Sequence, residues 1–148
     1  MDEADPRAML EPFEALIGEW TMEMTHPLLP DTVVHGRTTF EWLEGGRFVI
    51  QRAVCEHPDF PDSISVIGVM EGDSGLSQQY FDSRGVHRVI AIGFDGTELT
   101  QERDAPGFSQ RGSARLSDDG STVTGLYQLN ENDQGWRDDL AFIWRRAS

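Results

Sequence analysis

Apolar and polar residues alternate along most of this chain with a period of two, from about residue 18 to the C-terminal region. Alternation of this kind predicts β-strands with one face on a core and the other toward solvent. The pattern predicts strands at residues 18–26, 33–43, 47–56, 63–72, 76–82, 86–95, 97–104, 108–117, 121–130 and 135–146.

The breaks between these segments have the chemistry of tight turns. Asp95-Gly96 and Asp118-Asp119-Gly120 are typical, because Asp and Gly tolerate the positive φ angles that short hairpins require. No helical pattern separates the strands, which excludes a doubly wound dinucleotide-binding fold. About ten strands with short connections predict an all-β, antiparallel up-and-down meander. Closing it into a barrel removes its exposed edges.

Helical signals are confined to the N-terminal segment. Asp5 is placed as an N-cap and is followed by Pro6 at the first helical position. Apolar residues then recur at helical spacing, at Met9, Leu10, Phe13, Leu16 and Ile17. Pro12 interrupts this run and Gly18 ends it, so one or two short turns are expected.

Composition restricts the function classes. The chain has 148 residues, 12 basic against 26 acidic side chains and a net charge of −14, which argues for one domain (residues 1–148) and against nucleic-acid or anionic-membrane partners. A single cysteine excludes an internal disulfide and a CxxC motif. No apolar run approaches the ~20 residues of a membrane span, and the acidic N-terminus is unlike an export signal. A cytoplasmic location is the expectation.

The faces predicted to point inward are apolar but carry isolated polar groups, a composition typical of a small-molecule cavity. The candidate polar ligand-binding residues are Arg52, Tyr80, Arg88, Gln110 and Asp138, with Arg103 as a further polar position, and the candidate apolar or aromatic ones are Phe40, Trp42, Tyr127 and Trp136. Two alternatives stay open: the polar groups lie at the barrel rims, or the interior is packed shut. A one-residue register error would also reverse a whole face.

The two ends of the chain resemble the calycin group of barrels, which includes the lipocalins. Residues 13–20, FEALIGEW, resemble the short helix and Gly-x-Trp opening of that group. Residues 142–146, FIWRR, resemble its closing strand, in which an Arg packs across the opening Trp. The resemblance implies a structural role at the barrel floor for Gly18, Trp20 and Arg146, with Arg145 as the alternative to Arg146.

Three internal segments carry a more specific resemblance. Residues 40–48, 80–88 and 103–111 are similar to one bacterial family of small calycin-like proteins, and the likeness extends over nearly the whole chain. This resemblance implies the barrel fold but does not indicate an activity.

Two groups of similar shape bind known ligands, and the sequence departs from both. Fatty-acid-binding barrels insert a helix pair after the first strand, whereas only residues 27–31 separate the first two strands here. Nitrobindin-like proteins hold haem through a late histidine, whereas no histidine follows His87. Haem would therefore need another axial ligand, and no cofactor is expected.

Three functions remain at this stage. The leading interpretation is a non-enzymatic barrel that holds a small hydrophobic or amphipathic molecule. The first alternative is a cavity enzyme of cyclase or isomerase type with Asp138 or His87 as the acid or base, and the second is haem binding. The four histidines lack close ligand spacing, so no metal site is predicted. An exposed strand face would be compatible with a homodimer.

Overall fold

The computed structural model describes residues 6–147, so the N-cap predicted at Asp5 lies outside the described residues. A short α-helix (α1, Pro6–Leu10) and a 3₁₀ helix (Glu11–Leu16) precede ten strands. The strands are β1 Gly18–Thr25, β2 Val34–Trp42, β3 Phe48–Cys55, β4 Ser63–Gly68, β5 Ser77–Asp82, β6 His87–Phe94, β7 Glu98–Arg103, β8 Phe108–Leu116, β9 Thr122–Glu131 and β10 Arg137–Arg146.

The strands form one closed barrel, and every pairing is antiparallel. Each pairing joins strands that are consecutive in the chain, except the pairing of β1 with β10, which closes the barrel. β1 closes the barrel against β10, with Trp20 opposite Arg146 and Met24 opposite Phe142. The predicted ten-stranded antiparallel barrel with a short N-terminal helix is confirmed. Closure gives each of the ten strands two neighbours, so none of them is an exposed edge.

The N-terminal helices close one end of the barrel. Leu10, Phe13 and Leu16 are fully buried there, and the Phe13 ring meets Phe94 edge-on at 5.6 Å. Pro12 lies in the first turn of the 3₁₀ helix, where its missing N–H breaks no hydrogen bond. Neither helical segment among residues 6–147 has the length and apolarity needed to cross a bilayer.

Arg146 and Trp20 connect the two ends of the chain at this floor. The Arg146 guanidinium lies 4.1 Å from the Trp20 ring centroid and donates to the carbonyl oxygens of Ala15 (2.6 Å) and Ile17 (2.9 Å). Gly18 has a φ of +126°, and a side chain there would crowd this guanidinium. The floor therefore combines a cation–π contact with the capping of carbonyls that have no strand partner.

The face prediction is wrong for β3 and β4. On β3 the inward residues are Val49, Gln51, Ala53 and Cys55, so Phe48, Ile50 and Arg52 point outward. On β4 Ser65 and Ile67 point inward, and Ile64 and Val66 point outward. Both faces of these two strands carry apolar residues, and the inward face also carries the polar residues Gln51 and Ser65. The more hydrophobic face is therefore the outer one, and hydrophobicity alone predicts the wrong face.

Replacing Arg146 tests the floor. Arg146→Ala is expected to lower the free energy of unfolding by ~1–3 kcal/mol, because it removes the cation–π contact and leaves carbonyls uncapped. Urea unfolding followed by tryptophan fluorescence measures the change. Arg145→Ala is the matched control, because Arg145 makes only an exposed ion pair with Glu23, which contributes ~0–1 kcal/mol. Equal losses in both variants would contradict a special role for Arg146.

Candidate ligand-binding site

A cavity of about 830 Å³ occupies the end of the barrel opposite the helices. Its mouth is formed by the loops around Leu29, Phe60 and Arg84. Small-molecule pockets commonly have volumes of roughly 300–1,000 Å³, so this space can hold a compact organic molecule. The interior is therefore open at this end and packed at the other.

A chain of hydrogen bonds crosses the barrel at the base of the cavity. The Tyr127 hydroxyl donates to Gln101 Oε1 (2.7 Å), Gln101 Nε2 donates to Gln78 Oε1 (2.6 Å), and Gln78 Nε2 donates to Ser65 Oγ (2.9 Å). We call these four residues, on β9, β7, β5 and β4, the polar chain. In Gln101 and in Gln78 the amide oxygen accepts from one neighbour and the amide nitrogen donates to the next, so the orientation of each amide is fixed. Burial raises the pKa of Tyr127 to about 12, so its phenol remains a donor at neutral pH.

Two glycines make room for the aromatic rings at this level. A Cβ on Gly112 would overlap the Tyr127 ring, and a Cβ on Gly125 would overlap the Phe142 ring. The rings consequently lie flat against the strands and leave the centre of the barrel open. Small residues beside large ones shape the cavity.

The upper wall carries two arginines without carboxylate partners among the described residues. Arg88 donates from Nη1 to Gln110 Oε1 (2.8 Å) and lies 5.4 Å from the Phe108 ring centroid. Arg103 donates from Nη1 to the Phe108 carbonyl oxygen (3.0 Å). Burial, with the nearby positive charges of Arg103 and Arg84, lowers the pKa of Arg88. The pair is a concentration of positive charge inside an acidic protein.

Tyr80 belongs to a separate ion-pair group at the edge of the cavity. Its hydroxyl donates to Asp82 Oδ2 (2.8 Å), which also accepts from Arg84 Nη2 (2.7 Å). The bond from Arg84 holds the pKa of Asp82 well below its usual range, whereas burial and the Asp82 carboxylate raise that of Tyr80. Arg84 is thereby neutralised locally, unlike Arg88 and Arg103.

Five of the nine candidate ligand-binding residues border the cavity: Tyr80, Arg88, Gln110 and Tyr127 on its wall and Asp138 at its mouth. The four on the wall come from four strands, β5, β6, β8 and β9. The alternation pattern placed Arg88, Gln110 and Tyr127 correctly because an inward apolar residue lies two positions away from each of them, whereas the same-face neighbours of Tyr80 on β5 are polar.

Three other candidates lie outside the cavity, contrary to the prediction. Phe40 is buried in the closed-end core against Trp144, and Trp42 donates its indole N–H to Glu14 on the 3₁₀ helix. Arg52 is half exposed on the outer surface and pairs with Glu41. β2 descends toward the floor, so its last residues pack beneath the cavity, and Arg52 lies on the reversed face of β3.

Trp136 and Asp138 also differ from the prediction, because a β-bulge interrupts β10 between Asp138 and Ala141. The extra residue reverses the alternation, so Phe142 points inward while Asp138 is exposed at the mouth and accepts from Gln128. Trp136 lies on the outside with Arg111 stacked 4.1 Å from its ring centroid. Asp138 therefore borders the cavity only at its mouth.

His87 also lies outside, stacked on Phe81 at 4.8 Å and hydrogen-bonded to Gln79. The cavity-enzyme alternative therefore has neither of its two candidate acid–base groups in the interior. Cys55 lines the cavity, but burial and the nearby Asp62 raise the pKa of its thiol, which disfavours the reactive thiolate.

Histidine-ligated haem does not fit the cavity. Only His26 reaches the mouth, where Nε2 is 2.5 Å from Asp139 and Nδ1 accepts from the Leu28 N–H (3.0 Å). Both ring nitrogens are therefore engaged. Across residues 6–147 no three side chains among His, Cys, Asp and Glu cluster as metal ligands.

Sequence analysis missed Gln51, Ser65, Gln78 and Gln101, although each faces the interior. Gln51 donates to Thr38 Oγ1 (3.1 Å) and lies opposite Ser65 in the sheet, so it extends the polar level of the barrel. On β7 the sequence could have indicated that Gln101 faces the interior, because Gln101 lies on the same face of the strand as Leu99 and Arg103. On β3 and β4 the composition gave no such signal.

Two solved structures have a fold similar to that of this chain. The chain is 16% identical to Rv2717c from M. tuberculosis, with a TM-score of 0.69 over 97% of this chain and 100% of that one. It is 13% identical to zebrafish ileal bile acid-binding protein, solved in complex with cholic acid, with a TM-score of 0.55 over 90% and 99% of the two chains. No protein-family model and no curated protein matches the chain. The likeness is one of fold.

Tyrosine titration tests the interior environment, because the chain has only two tyrosines and both have raised pKa values. The absorbance increase near 295 nm should be absent until about pH 11 in the folded protein, whereas an unfolded tyrosine ionises near pH 10. The unfolded state therefore loses its protons first, and the free energy of unfolding falls as pH rises from about 10 toward 12. Tyr127→Phe should reduce that fall. A transition at pH 10 in the folded protein would contradict a buried, hydrogen-bonded phenol.

Proposed function

We propose that this chain binds a small amphipathic molecule inside the barrel. The supporting observation is the cavity of about 830 Å³, in which an apolar wall stands opposite a polar one. The apolar wall contains Met22 and Met24 of β1, Leu129 of β9, and Leu140 and Phe142 of β10. The polar wall lies on β5 to β8. Such a division matches a ligand with one apolar and one polar face.

The comparison with the bile acid-binding protein supports this proposal in one respect. That protein was solved with cholic acid, which is itself amphipathic, and shares the closed barrel architecture. The identity of the ligand is not carried over.

A binding role without chemistry is part of the proposal. The phenols of Tyr80 and Tyr127 and the thiol of Cys55 have pKa values above their ordinary ones, so all three stay protonated at neutral pH. General acid–base catalysis is most efficient with groups that titrate near the working pH. These three cavity groups suit ligand positioning through donated hydrogen bonds better than proton transfer.

The proposed partner is a small molecule, with no role for nucleic acid or membranes, because a net charge of −14 repels anionic polymers and surfaces. A cytoplasmic location stays a prediction from the sequence.

We also propose a homodimer that forms through the outer face of β3 to β6. Val54, Ile64, Phe81 and Val89 are 54%, 38%, 43% and 51% exposed there. The outward positions of these strands carry no acidic side chain, so two copies of a strongly negative chain can approach at this face with little repulsion.

A neutral fluorescent probe, N-phenyl-1-naphthylamine, tests the binding proposal. Ala53 points into the cavity, whereas the next residue, Val54, points outward, so Ala53→Phe fills the cavity and Val54→Phe is the matched control. Ala53→Phe is expected to weaken probe binding by ~10-fold or more, and Val54→Phe by less than ~2-fold. Fluorescence titration gives both dissociation constants, and circular dichroism verifies folding. Equal binding by the two variants would place the probe outside the barrel.

Sedimentation velocity at several concentrations tests the dimer. Val89→Glu puts a carboxylate on the apolar outer face and is expected to shift the protein to the monomer. Thr124→Glu, exposed on β9, is the control and should leave the distribution unchanged. A wild-type protein that is monomeric at all concentrations rules the dimer out.

A further inference from the structure

Four polar side chains lie side by side on consecutive strands in the upper wall of the cavity. Tyr80 of β5 is opposite Arg88 of β6, and Arg103 of β7 is opposite Gln110 of β8. The hydrogen bond from Arg88 to Gln110 joins the two pairs across β7. We call these four residues the arginine cluster, and all of them border the cavity.

The two guanidinium groups of the cluster have most of their donors unused by the protein. A guanidinium carries five N–H donors. Within residues 6–147, the protein gives Arg88 one side-chain acceptor, the Gln110 amide oxygen, and gives Arg103 one backbone acceptor, the Phe108 carbonyl. Both acceptors are neutral, so neither positive charge is compensated by an ion pair. Both side chains line the cavity in which a ligand would lie.

This arrangement is unfavourable for the empty protein. Two uncompensated positive charges are held near each other at a partly desolvated site, which costs free energy unless an anion is present. Among the described residues five other arginines form ion pairs with carboxylates, for example Arg84 with Asp82 and Arg115 with Glu98, whereas Arg111 and Arg146 stack on indole rings. Within residues 6–147 no carboxylate forms an ion pair with Arg88 or Arg103, and Asp82, whose charge acts on Arg88, is itself paired with Arg84.

We propose that the arginine cluster binds the carboxylate of an amphipathic organic acid, which makes the ligand of this barrel anionic. This inference rests on the proposed function, since it requires a ligand in the cavity. The planar guanidinium fork matches the two oxygens of a carboxylate, and charge-assisted hydrogen bonds of this kind are roughly twice as strong as neutral ones.

The remaining wall determines how such an acid lies. With its carboxylate at β6 and β7, the apolar body extends across the barrel to Met24, Leu140 and Phe142. The polar chain at the base, beginning with the Tyr127 hydroxyl, can form a hydrogen bond with a hydroxyl group on that body. The cluster therefore fixes the direction of the ligand as well as its charge.

Three ligands of equal chain length test the charge preference: dodecanoate, dodecanol and dodecylamine. Isothermal titration calorimetry on the whole protein should give the carboxylate an affinity at least ~10-fold above the alcohol, with the amine weakest. The dodecanoate affinity should also fall as the salt concentration rises, because the contact is ionic.

The variants Arg88→Gln and Arg103→Gln remove the charges and keep polar side chains in place. Each should reduce the preference for dodecanoate over dodecanol to below ~3-fold while the affinity for the neutral naphthylamine probe is retained. Arg37→Gln removes the same charge from an exposed outward position and should change neither value. Urea unfolding verifies that the variants fold.

The outcomes separate this inference from the proposed function. Equal affinities for the three ligands, or an unchanged preference in both variants, would overturn the carboxylate site and leave the binding barrel standing. If neither the probe nor any of the three ligands binds, both proposals fail.

Discussion

Buried polar groups are stabilised by hydrogen-bond partners, and in this barrel a chain of such bonds divides the interior in two. Tyr127, Gln101, Gln78 and Ser65 satisfy one another in a single chain that spans β9 to β4. Below it the side chains pack into a continuous apolar core around Trp20 and Trp144. Above it the barrel stays open. Replacing one amide would leave its neighbours unpaired, so the boundary behaves as a unit.

The two ends of the barrel consequently have different tasks. At the closed end, Arg146 is held by backbone carbonyls and the Trp20 ring, so its charge serves the fold. At the open end, Arg88 and Arg103 meet only neutral acceptors of the protein, so their charge is available to a ligand. The same side chain is structural in one setting and, in our proposal, binds a ligand in the other. The difference lies in how many of its donors the protein itself uses.

The number of strands, their approximate bounds and the antiparallel order could all be predicted, because turn residues punctuate a period-two pattern. The site was predictable only on strands whose alternation is unbroken. On β6 and β8, Arg88 and Gln110 follow inward apolar residues and point inward as expected. On β10 the bulge before Ala141 reversed the parity and moved Asp138 to the surface. On β3 both faces carry apolar residues, so the pattern did not indicate that Gln51 faces inward and wrongly predicted that Arg52 does.

The sequence by itself determined the barrel, because strand period and turn chemistry are local properties that each segment carries independently. The resemblance of the Gly18-x-Trp20 opening and the FIWRR strand to calycin barrels also implied the floor, and the pairing of Trp20 with Arg146 chose between the two candidate arginines. Only the tertiary structure decided that the interior is open above the polar chain and which arginines lack carboxylate partners. Both depend on contacts between residues far apart in the chain, such as Arg88 with Gln110 and Gln78 with Gln101, and no local pattern encodes such distances.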